Sequence, residues 1–548
     1  MNKSKFAASL LALVACLPAI AGGIITNTNQ NINFLRNPAR DAAIGIDGVY
    51  SNPAGVAFLP QGFHLSLNWQ YAKQTRDVVA DNPLFALGAK NGGLTEKKFG
   101  GVANAPFIPS VQAAYNRGPW SFQMNFSIPG GGGKCEYGQG VGSFESVVGA
   151  IAARLGGVSS QLNSQLAPLG VSVPAVTGYD MDAYLKGKQY YFGLQLGAAY
   201  KITENLSVYG GVRMLFGSAA YEARLNNIRL MNGADGVTLP AYFESLIGGV
   251  SSARSTIAAT TATINSGIDQ YVAGYMGAGY TREQAMLMPE VQGLIAKRDQ
   301  LQQADGQLEA ASQELMRSGE ALAPYANGVN LKSDQKGFGI APILGIDYKV
   351  GNFNFSAKYE FKTRMRLKND SDLPRPTAVA ALNKYVNGTS VPEDAPAQLA
   401  LGAQWAVSPT VRINAGYHHF FDTSAHWYEH SERLLSGGTN EYLAGVEWDI
   451  IKQLQVSGGI QITRYPLTDE FMNDMSFVVN SWTFGLGLGY KVTPKIKINA
   501  AYFQTNYAHY KMDTPQQEMA GLGITIPAGH NDFHRTNKVF GLGVDFSF

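Results

Sequence analysis

Cysteine is nearly absent: the 548-residue chain has two, Cys16 and Cys135, and the first lies in an N-terminal leader. Once that leader is cut Cys135 has no partner, which excludes an intramolecular disulfide and requires a core that holds without one. Charged residues are scarce at 15%, and 43 Lys and Arg face 41 Asp and Glu. No basic excess is left for a phosphate backbone, so nucleic acid is excluded as a partner. Beyond the leader there is no apolar run of 18 residues, which excludes helical membrane spans. The glycine run in "GGGGKCEYGQG", from Gly130, lacks the Gly-Lys-Ser/Thr ending of a phosphate-binding loop. With no nucleotide motif, neither a cofactor nor an energy source is implied.

Glycine (62 residues) and aromatics (11%) are plentiful, mixed in short segments that suit a sheet facing something apolar. The leader "MNKSKFAASLLALVACLPAIAGG" opens with Lys3 and Lys5, continues with an apolar run from Phe6 to Leu17, and carries the small-residue pattern Ala19-Ile20-Ala21. This reads as a secretory signal over residues 1–21, cut after Ala21. Leu13-Val14-Ala15-Cys16 keeps a second reading open, lipoprotein processing at Cys16. The run is short for an uncleaved anchor, which needs about 20 residues.

Period-two alternation then recurs along the chain. In "NSWTFGLGLGYKV", Trp482, Phe484, Leu486, Leu488 and Tyr490 share one face, and Thr483, Gly485, Gly487, Gly489 and Lys491 the other. Such segments are expected at 62–72, 107–116, 119–128, 188–201, 206–222, 337–350, 352–368, 396–407, 410–421, 440–450, 453–464, 481–492, 495–507 and 536–548, fourteen in all. Their connections alternate between tight turns, such as Arg117-Gly118 and Ser408-Pro409, and long links. Short turns on one rim and long loops on the other are the pattern of an outer-membrane barrel of a Gram-negative bacterium, with the short rim periplasmic. In hydrocarbon only a closed barrel pairs every strand edge. The fold class is therefore all-β: a fourteen-stranded antiparallel transmembrane β-barrel over 62–548. Its lumen is too wide for wall side chains to fill, and residues 22–61 are the available plug.

That plug ends in "VYSNPAGVAFLP", residues 49–60. Pro53 fixes its own φ and biases Asn52 away from helix, while the asparagine amide can bond nearby backbone, giving a stiff elbow. Asn52-Pro53-Ala54, followed by Gly55-Val56-Ala57-Phe58-Leu59 and the first strand, resembles the N-terminal hatch of the FadL/TodX family of outer-membrane transporters for hydrophobic compounds. The segments Phe107–Gly131 and Tyr190–Gly217 also look like that family's paired strands, and the chain ends in Phe as the family does. The resemblance covers essentially the whole mature chain. It implies passive transport of long-chain fatty acids or aromatic hydrocarbons past a hatch that shifts at Asn52-Pro53-Ala54. It also implies lateral exit near the third strand, for which Pro129-Gly130 is the kink. Phe546 and Phe548 on the last strand resemble the signal read by the barrel insertion machinery, and also suit a girdle at the lipid interface. Phe58, Leu59, Phe107 and Ile108 are the expected apolar ligand contacts, and a monomer in outer-membrane lipid is expected.

The longest loop, 223–336, reads as an extracellular helical hairpin. Val250, Ile257, Ile264 and Tyr271 recur at sevens on one helix, and Leu294, Leu301, Leu308 and Leu315 on the other. It either caps the mouth or, as the resemblance implies, forms an apolar entry groove. A further helical patch is expected near Phe144 to Leu166. His426 with His430 and His530 with His534 have helical spacing, but neither segment looks helical and no acidic third ligand is implied, so no metal site is expected. His418 is expected to face the lumen or lipid opposite to His419. Nothing fixes a Ser-His triad, so an enzyme is not expected. A non-specific porin or surface adhesin remains the alternative; lumen-parity Gly, Ala, Ser, Thr and Gln, which neither fill nor charge a channel, bear on that choice.

Overall fold

The structure is a computed structural model describing residues 27–376 and 380–548. The signal peptide expected over 1–21, both of its processing sites, and the first residues of the plug lie outside the described residues.

Among the described residues, fourteen strands form the wall: β1 Gly62–Asp81, β2 Glu96–Arg117, β3 Trp120–Tyr137, β4 Gly178–Lys201, β5 Leu206–Asn232, β6 Val329–Val350 and β7 Phe353–Glu360. They continue as β8 Gln398–Ala406, β9 Val411–Phe420, β10 Asn440–Asp449, β11 Leu454–Arg464, β12 Ser481–Thr493, β13 Ile496–Tyr507 and β14 Gly529–Ser547. Each pairs antiparallel with its neighbour, and β1 pairs with β14 from His64 opposite Ser547 to Asp81 opposite His530, closing the barrel. The expected strand number and the alternation of short and long connections hold. The outer face carries the large apolar residues of the alternation, among them Leu344, Ile346, Trp405, Trp448, Leu486 and Leu488, all exposed. In water such a surface would drive aggregation, whereas against acyl chains it is matched. No described helix is long and apolar enough to cross a membrane.

The strands on the β1–β6 side run well past the expected ends on the long-loop rim: β1 continues to Asp81, β2 begins at Glu96, and β5 reaches Asn232. There the outward positions carry charge instead of apolar side chains, as in the Lys98–Asp77 ion pair at 2.9 Å. The apolar alternation that marks a membrane crossing stops while the hydrogen-bonded ladder goes on. β7 differs in the other direction, ending at Glu360 where residues to 368 were expected. After an irregular stretch, Arg366–Ser371 pairs back onto β6, with Ser333 opposite Ser371.

Three helices stand on the long-loop rim, α3 Gly142–Leu166, α4 Leu239–Gly277 and α6 Pro289–Ala326, with a short α5 Arg282–Met286 between the last two. Inside the barrel lie two short helices that precede them in the chain, α1 Ile32–Arg36 and α2 Gly48–Ser51. In the α4–α6 hairpin, Val250, Ile257, Ile264, Leu308 and Leu315 are buried as the seven-residue spacing predicts. Tyr271 is not: it is 50% exposed, and Ile268 and Val272 take the inner positions. An uncoiled helix has 3.6 residues per turn, so a strict seven-residue stripe drifts off the seam along its length.

Candidate functional site

Residues 27–61 occupy the lumen, and nearly all of the stretch from Thr28 to Ala57 is buried. α1 starts where the Asn31 side chain accepts from Asn33 N at 2.7 Å, a conventional cap. Its apolar face, Ile32, Phe34 and Leu35, packs on Ala72, Leu443, Phe503 and Val539 of the wall. The wall offers glycine where the hatch backbone comes close: a Cβ at Gly485 would collide with the Leu35 carbonyl, and one at Gly445 with the Asn37 side chain. This gives the glycine face of the "GLGLGY" strand a reason that alternation alone did not.

The Asn52-Pro53-Ala54 elbow is held at each residue by a different strand. Asn52 Nδ2 donates to Asp347 Oδ2 of β6 at 2.6 Å, while its Oδ1 accepts from Gly55 N at 3.1 Å in a local turn. Gln123 of β3 donates to the Pro53 carbonyl at 2.7 Å, and Ser207 of β5 to the Ala54 carbonyl at 2.7 Å. Asn116 of β2 donates to the carbonyls of Val56 (2.9 Å) and Leu59 (3.1 Å).

Around the elbow the lumen is charged, a correction to the expectation of small neutral residues. Arg213 and Glu360 form a buried pair at 2.6 Å, Arg213 lies 4.8 Å over the Tyr50 ring, and Lys358 lies 4.9 Å from the same ring while donating to the Tyr50 carbonyl. Arg40 of the hatch pairs with Asp47 at 2.7 Å and with Glu447 of β10 at 2.6 Å. His418, on the lumenal side as one of the two parities required, bridges Asp41 of the hatch (2.9 Å) and Glu441 of β10 (2.8 Å). Three of these contacts, Arg40–Glu447, His418–Asp41 and Lys358 with the Tyr50 carbonyl, join hatch to wall, so the charge closes the axial route rather than lining an open one. The partners in these hatch-to-wall contacts are hundreds of residues apart in sequence, which is why no local pattern revealed them.

Between β2 and β3 the described wall has a long break in its ladder. β2 and β3 pair at Ala103 opposite Cys135, then not again until Val111 opposite Phe126. On its other side β3 keeps only scattered partners with β4 here, Gly130 opposite Tyr191 and Gly133 opposite Gln189. Pro129 and Gly130 lie inside this interruption, and Gly131 and Gly133 have φ of +101° and +69°, conformations that glycine alone adopts freely. The loose backbone is taken up by the hatch: Gln30 receives Ile128 N at 3.0 Å and donates to Ile128 O at 3.1 Å, and Asn27 donates to Gly131 O at 3.0 Å. β3 therefore detours toward the hatch, leaving a gap against β2.

Two cavities lead to that gap. The upper one, about 590 Å³, opens beneath the long loops and is walled by Phe144, Leu185, Met472, Met475, Phe477 and Val478 among others. The lower one, about 180 Å³, lies between Asn27–Gln30 of the hatch and Ala103, Asn104, Ala105, Ile108 and Ile128 at the interruption. Arg76, Gly133, Val478 and Arg535 border both.

Of the four expected ligand contacts Ile108 alone lines either of these two cavities. Phe107 is 68% exposed on the outer face, since adjacent residues of a strand point to opposite sides. Leu59 packs on Ile46, Val49 and Val56 within the hatch, and Phe58 lies under Lys349 at 4.5 Å. Phe548 is 62% exposed and stacks near Phe546 (6.1 Å) and Phe63 (6.4 Å), its backbone N donating to Phe63 O at 2.8 Å. Against expectation, His426 and His430 do have an acidic third partner: Glu432 joins them, with possible ligand atoms all within 4.8 Å, a set able to hold a cation on the long-loop rim. His530 and His534 lie in β14 rather than in a loop, the first 2.9 Å from Asp513 and the second stacked 4.4 Å from His509.

No family model and no curated protein matches the sequence. Solved structures do. A Pseudomonas aeruginosa FadL homologue aligns over 97% of this chain and 99% of its own, at 12% identity and a TM-score of 0.52. The P. putida toluene transporter TodX aligns over 92% and 94% at 12% identity with a TM-score of 0.47, and the Ralstonia pickettii toluene transporter TbuX over 97% and 99% at 14% identity with 0.45. With the first of these the chain shares its architecture end to end: it has the FadL-type fold, a fourteen-stranded barrel closed by an N-terminal hatch.

Proposed function

We propose that this protein lets hydrophobic small molecules, long-chain fatty acids or aromatic hydrocarbons, cross the outer membrane passively, as a monomer and without catalysis. The carrying observation is the interrupted β2–β3 ladder with two cavities leading to it, beside a hatch tied to the wall by the Arg40–Glu447 ion pair. Ligand enters the upper cavity beneath the long loops, moves past Arg76 and Arg535 to the lower one, and leaves sideways into the membrane at Pro129-Gly130. A rearrangement of the hatch near Asn52-Pro53-Ala54 or of the Asn27–Gln30 contacts widens the passage, driven by ligand binding alone. Phe546 and Phe548 serve insertion of the barrel. What the named structural neighbours transport, toluene in two cases, supports a hydrophobic cargo.

The test is uptake of a long-chain fatty acid and of a small aromatic hydrocarbon by cells with the protein, without it, or with Pro53→Gly or Gly131→Val. Gly131 combines φ of +101° with a Cβ position that would collide with the Gln189 carbonyl, so valine there forces the kink to change. Protein-dependent uptake that falls in both variants while the barrel stays folded supports the reading. Dependence of small hydrophilic solutes instead would make the protein a porin.

A further inference from the structure

His426 and His430, in the loop between β9 and β10, meet without a regular helix between them. Among the described residues three outside glycine have positive φ, and two of these are Glu429 (55°) and His430 (58°). This left-handed pair turns the chain back on itself. His430 N donates to the Trp427 carbonyl at 3.1 Å, and the His430 ring comes to lie 4.5 Å from that of His426, nearly perpendicular to it. A β-carbon disfavours such a backbone, which persists where its surroundings over-determine it, ligand clamps among them.

The Glu432 carboxylate forms the floor. Its Oε2 accepts from Trp427 N at 3.0 Å, and its Oε1 lies 3.1 Å from His430 Nδ1. Glu432 is buried, while the two histidines are exposed, so the set has a fixed base and a mouth open to water. Neighbouring loops anchor that base. Trp427 Nε1 donates to the Asp394 carbonyl at 2.9 Å, Asp394 N donates to the His426 carbonyl at 3.2 Å, and Trp427 packs with Leu435 and with Phe471 of the β11–β12 loop.

Two imidazoles and one carboxylate are a ligand set of zinc, which takes nitrogen and oxygen at about 2.0–2.2 Å in a tetrahedron, with water at the fourth position. Bonds of that length place ligand atoms about 3.3 Å apart. Glu432 Oε1 and His430 Nδ1 already have that spacing, and one ligand atom from each of the three residues lies within 4.8 Å of the others. Closing the set asks about 1.5 Å at most of imidazoles that stand in water. Magnesium and calcium, which take oxygen ligands, are poorly served by two nitrogens. Arg433 Nε lies 3.9 Å from Glu432 Oε1, but its side chain is 73% exposed and turns into solvent without hindrance.

We propose that His426, His430 and Glu432 bind a zinc ion with water as the fourth ligand, and that the ion staples the β9–β10 loop where it meets the β7–β8 and β11–β12 loops on the long-loop rim. The ion holds the left-handed turn closed. This is independent of what the barrel carries.

The experiment uses the full-length protein, purified without a histidine tag and placed in lipid nanodiscs. Zn²⁺ is titrated against a chromophoric chelator for the wild type, for His426→Gln, for His430→Gln, and for a control, His509→Gln/His534→Gln, at the stacked histidine pair. Expected is one tightly bound ion in the wild type. Either single substitution weakens it by about 100-fold, since disturbing even the residues behind a metal ligand costs about 10- to 100-fold. The control leaves it unchanged. Amide exchange of residues 421–439 slows when Zn²⁺ is added to the wild type, does not slow in the single variants, and does not respond to Mg²⁺. Zinc affinity that survives both single substitutions, or that falls in the control instead, overturns the site. Exchange indifferent to Zn²⁺, or equally slowed by Mg²⁺, overturns the staple. The wild-type exchange comparison decides by itself where a variant does not fold.

Discussion

Asn52 donates from Nδ2 to Asp347 Oδ2 at 2.6 Å, tying the elbow of the hatch to a wall strand 295 residues away in the chain. Among the described residues the only other side chain bonded to that carboxylate is Asn354, at 2.9 Å, and Asp347 Oδ1 is buried without a partner. Asn52→Ala removes one of two donors from a buried acid and is expected to loosen the hatch by about 1–3 kcal/mol. Amide exchange of residues 46–59 should speed up while the heat-modifiable migration of the folded barrel is unchanged.

Gly485 leaves no room for a side chain beside the Leu35 carbonyl. Gly485→Val is expected to push α1 off the wall without breaking β12, where valine is a good strand former. Single-protein conductance in a planar bilayer should rise above that of the wild type, because displacing the plug opens the lumen to ions.

Arg213 and Glu360 are fully buried partners at 2.6 Å. Glu360→Gln leaves the guanidinium uncompensated and should lower stability by about 3–5 kcal/mol, whereas the double replacement Arg213→Met/Glu360→Leu should cost much less. Urea unfolding of Arg213→Met, Glu360→Leu and the double variant gives the coupling between them.

The parts of this architecture that local chemistry dictates were legible in the sequence. Tight turns lay where Gly118, Gly351, Pro409 and Pro494 interrupt alternation, and Trp482 to Tyr490 alternate because one face meets lipid. The strand tops were not, since Lys98 and Asp77 belong to a ladder standing in water, where nothing selects apolar side chains. Phe107 was misread because an apolar residue beside a cavity-lining neighbour still points the other way. The Asn52–Asp347 bond depends on how the hatch seats against a wall strand distant in the chain, which no local pattern records.

Asp474, in the loop between β11 and β12, caps α3 through Ser143. Burial raises its carboxyl above the ordinary value of 3.8, against the lowering effect of the Ser143 hydrogen bonds. The folded state thus holds this proton more tightly than the unfolded one. Its contribution is complete below the ordinary value and is lost as pH rises through the raised value. Amide exchange in this loop, corrected for intrinsic rates, should show firmer docking at about pH 4 than at about pH 8, a difference Asp474→Asn abolishes.

β5 has 27 residues and β8 only 9. At a rise of about 3.3 Å per residue the first is roughly 90 Å long and the second roughly 30 Å, against the ten or so residues that a tilted strand needs to cross a bilayer. The rim is thus a ramp: low along β7–β11, high along β1–β6. The molecule therefore has a front and a back.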